Sequence, residues 1–234
     1  MGSLAKMLDH VQNHTDLDVI AVTDHDDIEG GYLARELAAK RNYTFEVVVG
    51  TEVTTLEGHL LALYLEKPVR SLQSLNKTVQ AIHAQGGLCI VPHPMSWVTR
   101  SVGRRALERV AAGSTEGIYL DGLEVINATV AGRVTNDKAL TLNRSHFRLA
   151  ETGGSDAHFP LHIGSAFTRF QGSSAEDLRK SLRDKITQAA RSEARSPRVG
   201  AHEILGQQVK SLILLPIKHV RRKVRRLLAK RHDQ

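Results

Sequence analysis

Gly153-Gly154-Ser155-Asp156-Ala157-His158 is the stretch whose reading decides this chain. It follows Leu149-Ala150-Glu151-Thr152, an apolar-to-small approach. If that approach is a strand, Asp156 and His158 point to one side, because strand side chains alternate with period two. Two Lewis-basic side chains at a glycine-fed strand end make a metal half-site. The same residues also fit a Gly-rich turn with a surface His. A lone Asp-x-His is a short signal, so partners elsewhere in the chain must decide.

Working outward, the upstream sequence repeats the pattern. Asp18–Val22 reads as a buried strand and runs into Thr23-Asp24-His25-Asp26-Asp27. Acids and a His at the end of a buried strand are costly unless satisfied. A metal would satisfy them, and so would a solvated loop with Asp27 capping the next helix. Phe45–Val49 is a second strand, followed by Gly50-Thr51-Glu52. Gly58-His59 opens the apolar run Leu60–Leu65, where a lone His beside a Gly also fits a structural role. Leu88–Val91 ends at Pro92-His93-Pro94, whose prolines keep His93 out of a helix. Gly122–Asn127 places Glu124 and Asn127 on a further strand.

Helical spacing marks residues 3–12, 29–41, 71–85, 104–112 and 133–147 between these strands. His83 reads as an exposed helix residue and Cys89 as a core residue. Residues 166–170 read as a last short strand. Ser173-Ser174-Ala175-Glu176-Asp177 is a helix start, with Ser at the N-cap and acids in the first turn.

Composition narrows the function classes. A single cysteine excludes an internal disulfide framework and suits a reducing compartment. Aromatics at 4% leave few platforms for stacking on nucleobases. No signal-peptide core and no apolar run long enough to span a membrane occur, so the expectation is a cytoplasmic protein, peripheral to a membrane at most. The net charge of +7 belongs to residues 203–234, where nine Lys/Arg face two acids. That segment keeps apolar residues at helical spacing around Pro216 and reads as a basic amphipathic tail. It fits an anionic membrane surface, with nucleic-acid phosphates second, or simple docking on the domain. The expected organisation is a domain over 1–188, a linker over 189–202 and the tail over 203–234.

Alternating strands and helices with His, Asp or Glu at strand exits predict a parallel α/β architecture, whose sites lie at the carboxyl ends of strands. The candidate set is Asp24, His25, Glu52, His59, His93, Glu124, Asp156 and His158. Its mixture of imidazole and carboxylate suits Zn, Mn or Fe. Two or three ions could share these ligands, with Glu52 as a bridge. Hydrolysis of a phosphoester is the chemistry such ions support.

These motifs, in this order, closely resemble the PHP family, the polymerase and histidinol phosphatase domain, over about residues 4–188. The resemblance implies a distorted (β/α)7 barrel with divalent Mn, Zn or Fe at its strand ends and a small-molecule or nucleotide phosphomonoester as substrate. It implies His25, Glu52, His59, His93, Asp156 and His158 as metal ligands. Asp24, His25 and Asp156 would be catalytic, with Glu124, Asn127 and Arg133 on the substrate side. One departure stands out. The family opens with a His-x-His strand and a following Ser-Asp-Gly, and this sequence contains no His-x-His. The expectation is therefore a first strand encoded upstream of Met1, or else a depleted PHP-like binding or regulatory module. The remaining ligands would hold about one ion, with little phosphatase activity from these residues alone. A third reading makes the basic tail the functional element, as a membrane or nucleic-acid binder.

Overall fold

The computed structural model describes residues 2–112 and 118–193. The expected tail, 203–234, and residues 194–202 of the expected linker lie outside the described residues. The elements run α1 (Gly2–His14), β1 (Val19–Val22), α2 (Glu29–Lys40), β2 (Glu46–Thr54), β3 (His59–Leu63), α3 (Leu75–His83), β4 (Leu88–Val91) and α4 (Arg104–Ala112). They continue with β5 (Gly122–Asn127), α5 (Val130–Arg133), α6 (Asn136–Leu142), a π turn (Asn143–Phe147), β6 (Ala150–Gly154), β7 (Ala166–Arg169), α7 (Ala175–Arg183) and β8 (Gln188–Arg191). The domain thus runs through β8, which takes the first residues of the expected linker.

Six strands form one curled mixed sheet in the order β1-β2-β3-β4-β5-β6. The antiparallel pair β7–β8, whose strands flank α7 in the chain, joins β6 through Thr168, whose Oγ1 accepts from Gly153 N at 3.0 Å and donates to Gly153 O at 3.1 Å. β1 with β2, β4 with β5 and β5 with β6 are parallel, as expected. β3 is not: it runs antiparallel to both β2 and β4. The cause is the short Thr55–Gly58 turn, where Thr55 N donates to Gly58 O at 3.0 Å. A turn this short can only reverse the chain, since a parallel return needs a crossover. The reversal brings His59, the first residue of β3, to the same end of the sheet as the exits of β2 and β4.

Val53, Leu60, Val79, Ile82, Val91 and Leu123 lie in the main core between the sheet and helices α3 and α4. Leu8 and Val11 of α1 pack with Ala34, Ala38, Phe45 and Val47 in a second cluster. β1 is only partly buried, against the expectation of a buried strand. It pairs with β2 alone among the described strands, so one of its edges has no ladder. His83 also departs from the expected exposed helix position. Its side chain is 12% exposed and Nε2 lies 2.9 Å from Asp121 Oδ2.

The helix start at α7 forms as the sequence predicts. Ser174 Oγ accepts from Asp177 N at 3.1 Å, and Asp177 Oδ2 accepts from Ser174 N at 3.1 Å, a closed capping box. Ser174→Ala should cost about 1 kcal/mol of stability, measured as a shift in the urea midpoint at unchanged slope.

Candidate metal centre

Glu52 stands near the end of β2, buried at 8% exposure, and three imidazoles converge on it. His59 Nδ1 approaches its Oε1 to 2.7 Å, and His93 Nε2 approaches the same oxygen to 3.3 Å. His25 Nε2 lies 3.6 Å from Oε2. The His25 and His59 ring centroids are 5.0 Å apart, and those of His59 and His93 are 5.8 Å apart. Local backbone pairing sets these positions. His25 forms an isolated parallel bridge with Glu52, and Glu52 N donates to Asp24 O at 3.1 Å.

A second polar layer lies beside this cluster. His93 has φ 29 between its two prolines, a conformation that favours glycine. It is held there by its backbone N–H, which donates to Glu124 Oε2 at 2.7 Å, and by Nδ1, 2.8 Å from Ser101 Oγ. Asn127 Nδ2 donates to Glu124 Oε2 at 2.9 Å and reaches Asp156 Oδ2 at 3.5 Å. Thr129 Oγ1 donates to Asn127 Oδ1 at 2.6 Å. Two glycines make room for this layer. A Cβ on Gly154 would collide with Glu124 Oε1, and one on Gly30 with Asp24 Oδ2.

Asp156 lies just past β6 with φ 47, so it is turned out of the strand alternation. His158 Nδ1 sits 3.0 Å from the Asp156 carbonyl oxygen and 3.8 Å from its Oδ1, with a half-exposed side chain. The structure therefore brings His25, Glu52, His59 and His93 into one cluster. Glu124, Asn127 and Asp156 stand beside it, with His158 at the exposed margin. Arg133 ends α5 with its side chain exposed, one residue past Gly132, whose backbone lies against Asn127. Sequence reasoning missed Ser101 and Thr129. Hydroxyls on loops carry no pattern that would have marked them.

The charges are arranged in opposition. Burial alone would raise the Glu52 carboxyl, but the close imidazoles of His59, His93 and His25 outweigh it, and it sits well below the ordinary range. Burial would lower His93, yet Glu52, Glu124 and Asp156 push it up to about 9. Glu124 is pushed up to about 7, chiefly by burial. Asp156 is raised by burial and by the Glu52 charge, and Asp24 by burial and the Asp27 charge.

The donor set fits a metal ion. His59 Nδ1 is within contact distance of Glu52 Oε1, but the N–H direction misses it, leaving the buried nitrogen without an aligned hydrogen bond. Buried ring nitrogens without partners are costly, and a cation between nitrogen and carboxylate removes the cost. Donor atoms of His25, Glu52 and His59 all lie within 4.8 Å of one another. Nitrogen and oxygen ligands in this ratio suit a divalent transition ion.

Fold and site together define the class: a mixed α/β domain with a metal-type imidazole–carboxylate cluster at the strand ends. The model of the PHP-associated family matches residues 135–186. A two-domain protein from Bacteroides vulgatus, containing a predicted PHP-like metal-dependent phosphoesterase, superposes with a TM-score of 0.64 at 20% identity, over 82% of this chain and 60% of that one. The family match over 135–186 and the shared fold together support a PHP-family domain. A protein from Bifidobacterium adolescentis, provisionally assigned as a metal-dependent phosphoesterase, superposes with a TM-score of 0.55 at 16% identity, over 77% of this chain and 90% of that one. An uncharacterized protein of Methanocaldococcus jannaschii is 35% identical over 124 residues, 53% of this chain and 66% of the relative. The match thus spans just under two thirds of that relative's length. Among the described residues no helix is long and apolar enough to cross a membrane.

Proposed function

We propose that this chain is a metal-dependent phosphoesterase that hydrolyses phosphomonoesters of small molecules or nucleotides. The observation that carries the reading is the convergence of His25, His59 and His93 on the single buried carboxylate of Glu52. His25, Glu52, His59 and His93 would hold the ion, with Asp156 and His158 completing the set. A divalent ion there would polarise a phosphoryl oxygen and lower the pKa of an attacking water. Zinc, manganese and iron all suit the donors. Asp156, its carboxyl raised by burial, would exchange a proton with the reacting water, and Asp24 would help orient the neighbouring His25. Glu124 and Asn127 would orient the substrate, and Arg133 could pair with its phosphate through a planar fork.

The sequence contains no His-x-His, so the ligands within it support about one ion and slow turnover. That same observation favours a second reading, a PHP-like module that binds its ligand without hydrolysing it. The basic segment 203–234 would add contact with an anionic membrane surface, and nucleic acid less so.

The test is elemental analysis of the purified chain after chelation and reloading with zinc or manganese, followed by a phosphomonoester panel. At least one ion per chain and phosphate release that vanishes with chelator support the enzyme. Metal and phosphomonoester binding without release supports the module. No bound transition metal and no release would remove the enzyme reading.

A further inference from the structure

The geometry points to a second metal site at the opposite end of the sheet, formed by His83, Cys89 and Asp121 and suited to a zinc-class ion. The three residues come from separate elements. His83 is the last residue of α3, Cys89 is the second residue of β4, and Asp121 directly precedes β5. They lie at the amino ends of β4 and β5, whereas His93 lies past the carboxyl end of β4 and Asn127 is the last residue of β5. Their donor atoms all lie within 4.8 Å of one another.

Hydrogen bonds already aim two of the donors. Asp121 Oδ2 accepts from Cys89 N at 2.7 Å and lies 2.9 Å from His83 Nε2. The Tyr119 ring stacks on His83 at 4.3 Å between centroids and limits its rotation. A tetrahedral ion at ordinary Zn–N and Zn–S distances separates its ligands by roughly 3.3–3.8 Å. The His83–Asp121 contact, at 2.9 Å, opens slightly to reach that spacing. Thiolate, imidazole and carboxylate together match the donors zinc prefers. A cavity of about 590 Å³, lined by Asp121 and Tyr119 with Leu120, Phe147 and Leu149, lies on the Asp121 side of the site.

Binding follows a simple balance. The ion takes the Cys89 sulfur, and one proton leaves the thiol for solvent. His83 stays neutral and shifts its N–H away from the coordinating nitrogen. No electron is transferred. The bound ion would tie the end of α3 to the starts of β4 and β5.

Cys89 is the only cysteine in the chain, so a thiolate-to-cobalt charge-transfer band reports this site and not the Glu52 cluster. Full-length protein stripped with chelator is titrated with Co(II) under reducing conditions. The expected result is a near-ultraviolet band that saturates with one ion bound at the thiolate and bleaches when Zn(II) is added. In His83→Ala, with folding checked by circular dichroism, the titration midpoint should weaken by at least about tenfold, since even groups one bond beyond a metal ligand carry that much. No band in the wild-type protein overturns the site, whatever the variant does. A wild-type band unchanged by His83→Ala also overturns it, because the thiol would then be bound in another arrangement.

Discussion

Glu52→Gln should abolish metal binding at the strand-end cluster, lowering apparent affinity by more than about 100-fold and phosphate release to the chelator background. The magnitude follows from Glu52's position. Loss of groups one bond beyond a ligand already costs about 10–100-fold, and Glu52 is the carboxylate that His25, His59 and His93 share. The glutamine keeps the size and one acceptor oxygen but removes the negative charge. It also leaves two or three buried imidazoles without their counter-charge. Breaking a buried charge pair in this way costs about 3–5 kcal/mol, so the metal-free variant should unfold at lower denaturant than the wild type. Titration calorimetry with Zn(II) and a urea melt measure the two effects separately. Glu36→Gln, on the exposed face of α2, serves as the control and should change neither. If Glu52→Gln bound as many Zn(II) ions as the wild type, each with wild-type affinity, the ion assigned to this cluster would have to sit elsewhere.

Most of this site was legible in the sequence, and the reason is local. Each residue of the cluster follows or begins an apolar run, so a strand and its polar exit could be marked without knowing the neighbouring strands. The capping box of α7 was legible for the same reason, as Ser174 and Asp177 are three residues apart. What the sequence did not show depends on pairing. An apolar run has the same period in both directions, so nothing within Leu60–Leu65 marked β3 as antiparallel. Its direction comes from the Thr55–Gly58 turn outside the run. Likewise, Val19–Val22 reads as a buried strand, but burial needs a partner on each side, and β1 pairs only with β2 among the described strands. His83 was misread because its partner, Asp121, lies 38 residues further on, beyond any helical spacing.

The polar layer around His93 gives a stability profile whose sign reverses with metal. In the stripped protein, Glu124 is pushed up to about 7 from 4.5, so the folded state holds a proton that the unfolded chain has released. That contribution is complete below pH 4.5 and lost as pH rises to 7. His93, raised from 6.5 to about 9, behaves in the same direction over a higher window. Its contribution is full below pH 6.5 and lost as pH climbs through 9. Each gap corresponds to about 3 kcal/mol. The two do not add, because Glu124 and His93 interact directly and titrate together. Glu52 has the opposite sign: its depressed carboxyl stabilises above pH 4.5 and is lost below it. Stripped protein should therefore be most stable near pH 4.5–5 and weaken steadily toward pH 9. Metal-loaded protein should do the reverse over the same range. An ion needs neutral imidazoles and ionised carboxylates, so its affinity, and the stability it lends, rises as protons leave. Urea midpoints at several pH values, with chelator and with saturating Zn(II), give the two curves. If both curves fall toward pH 9 in parallel, His93 is not a metal ligand. If they diverge in wild type but not in His93→Gln, the same imidazole holds the proton in one state and the ion in the other.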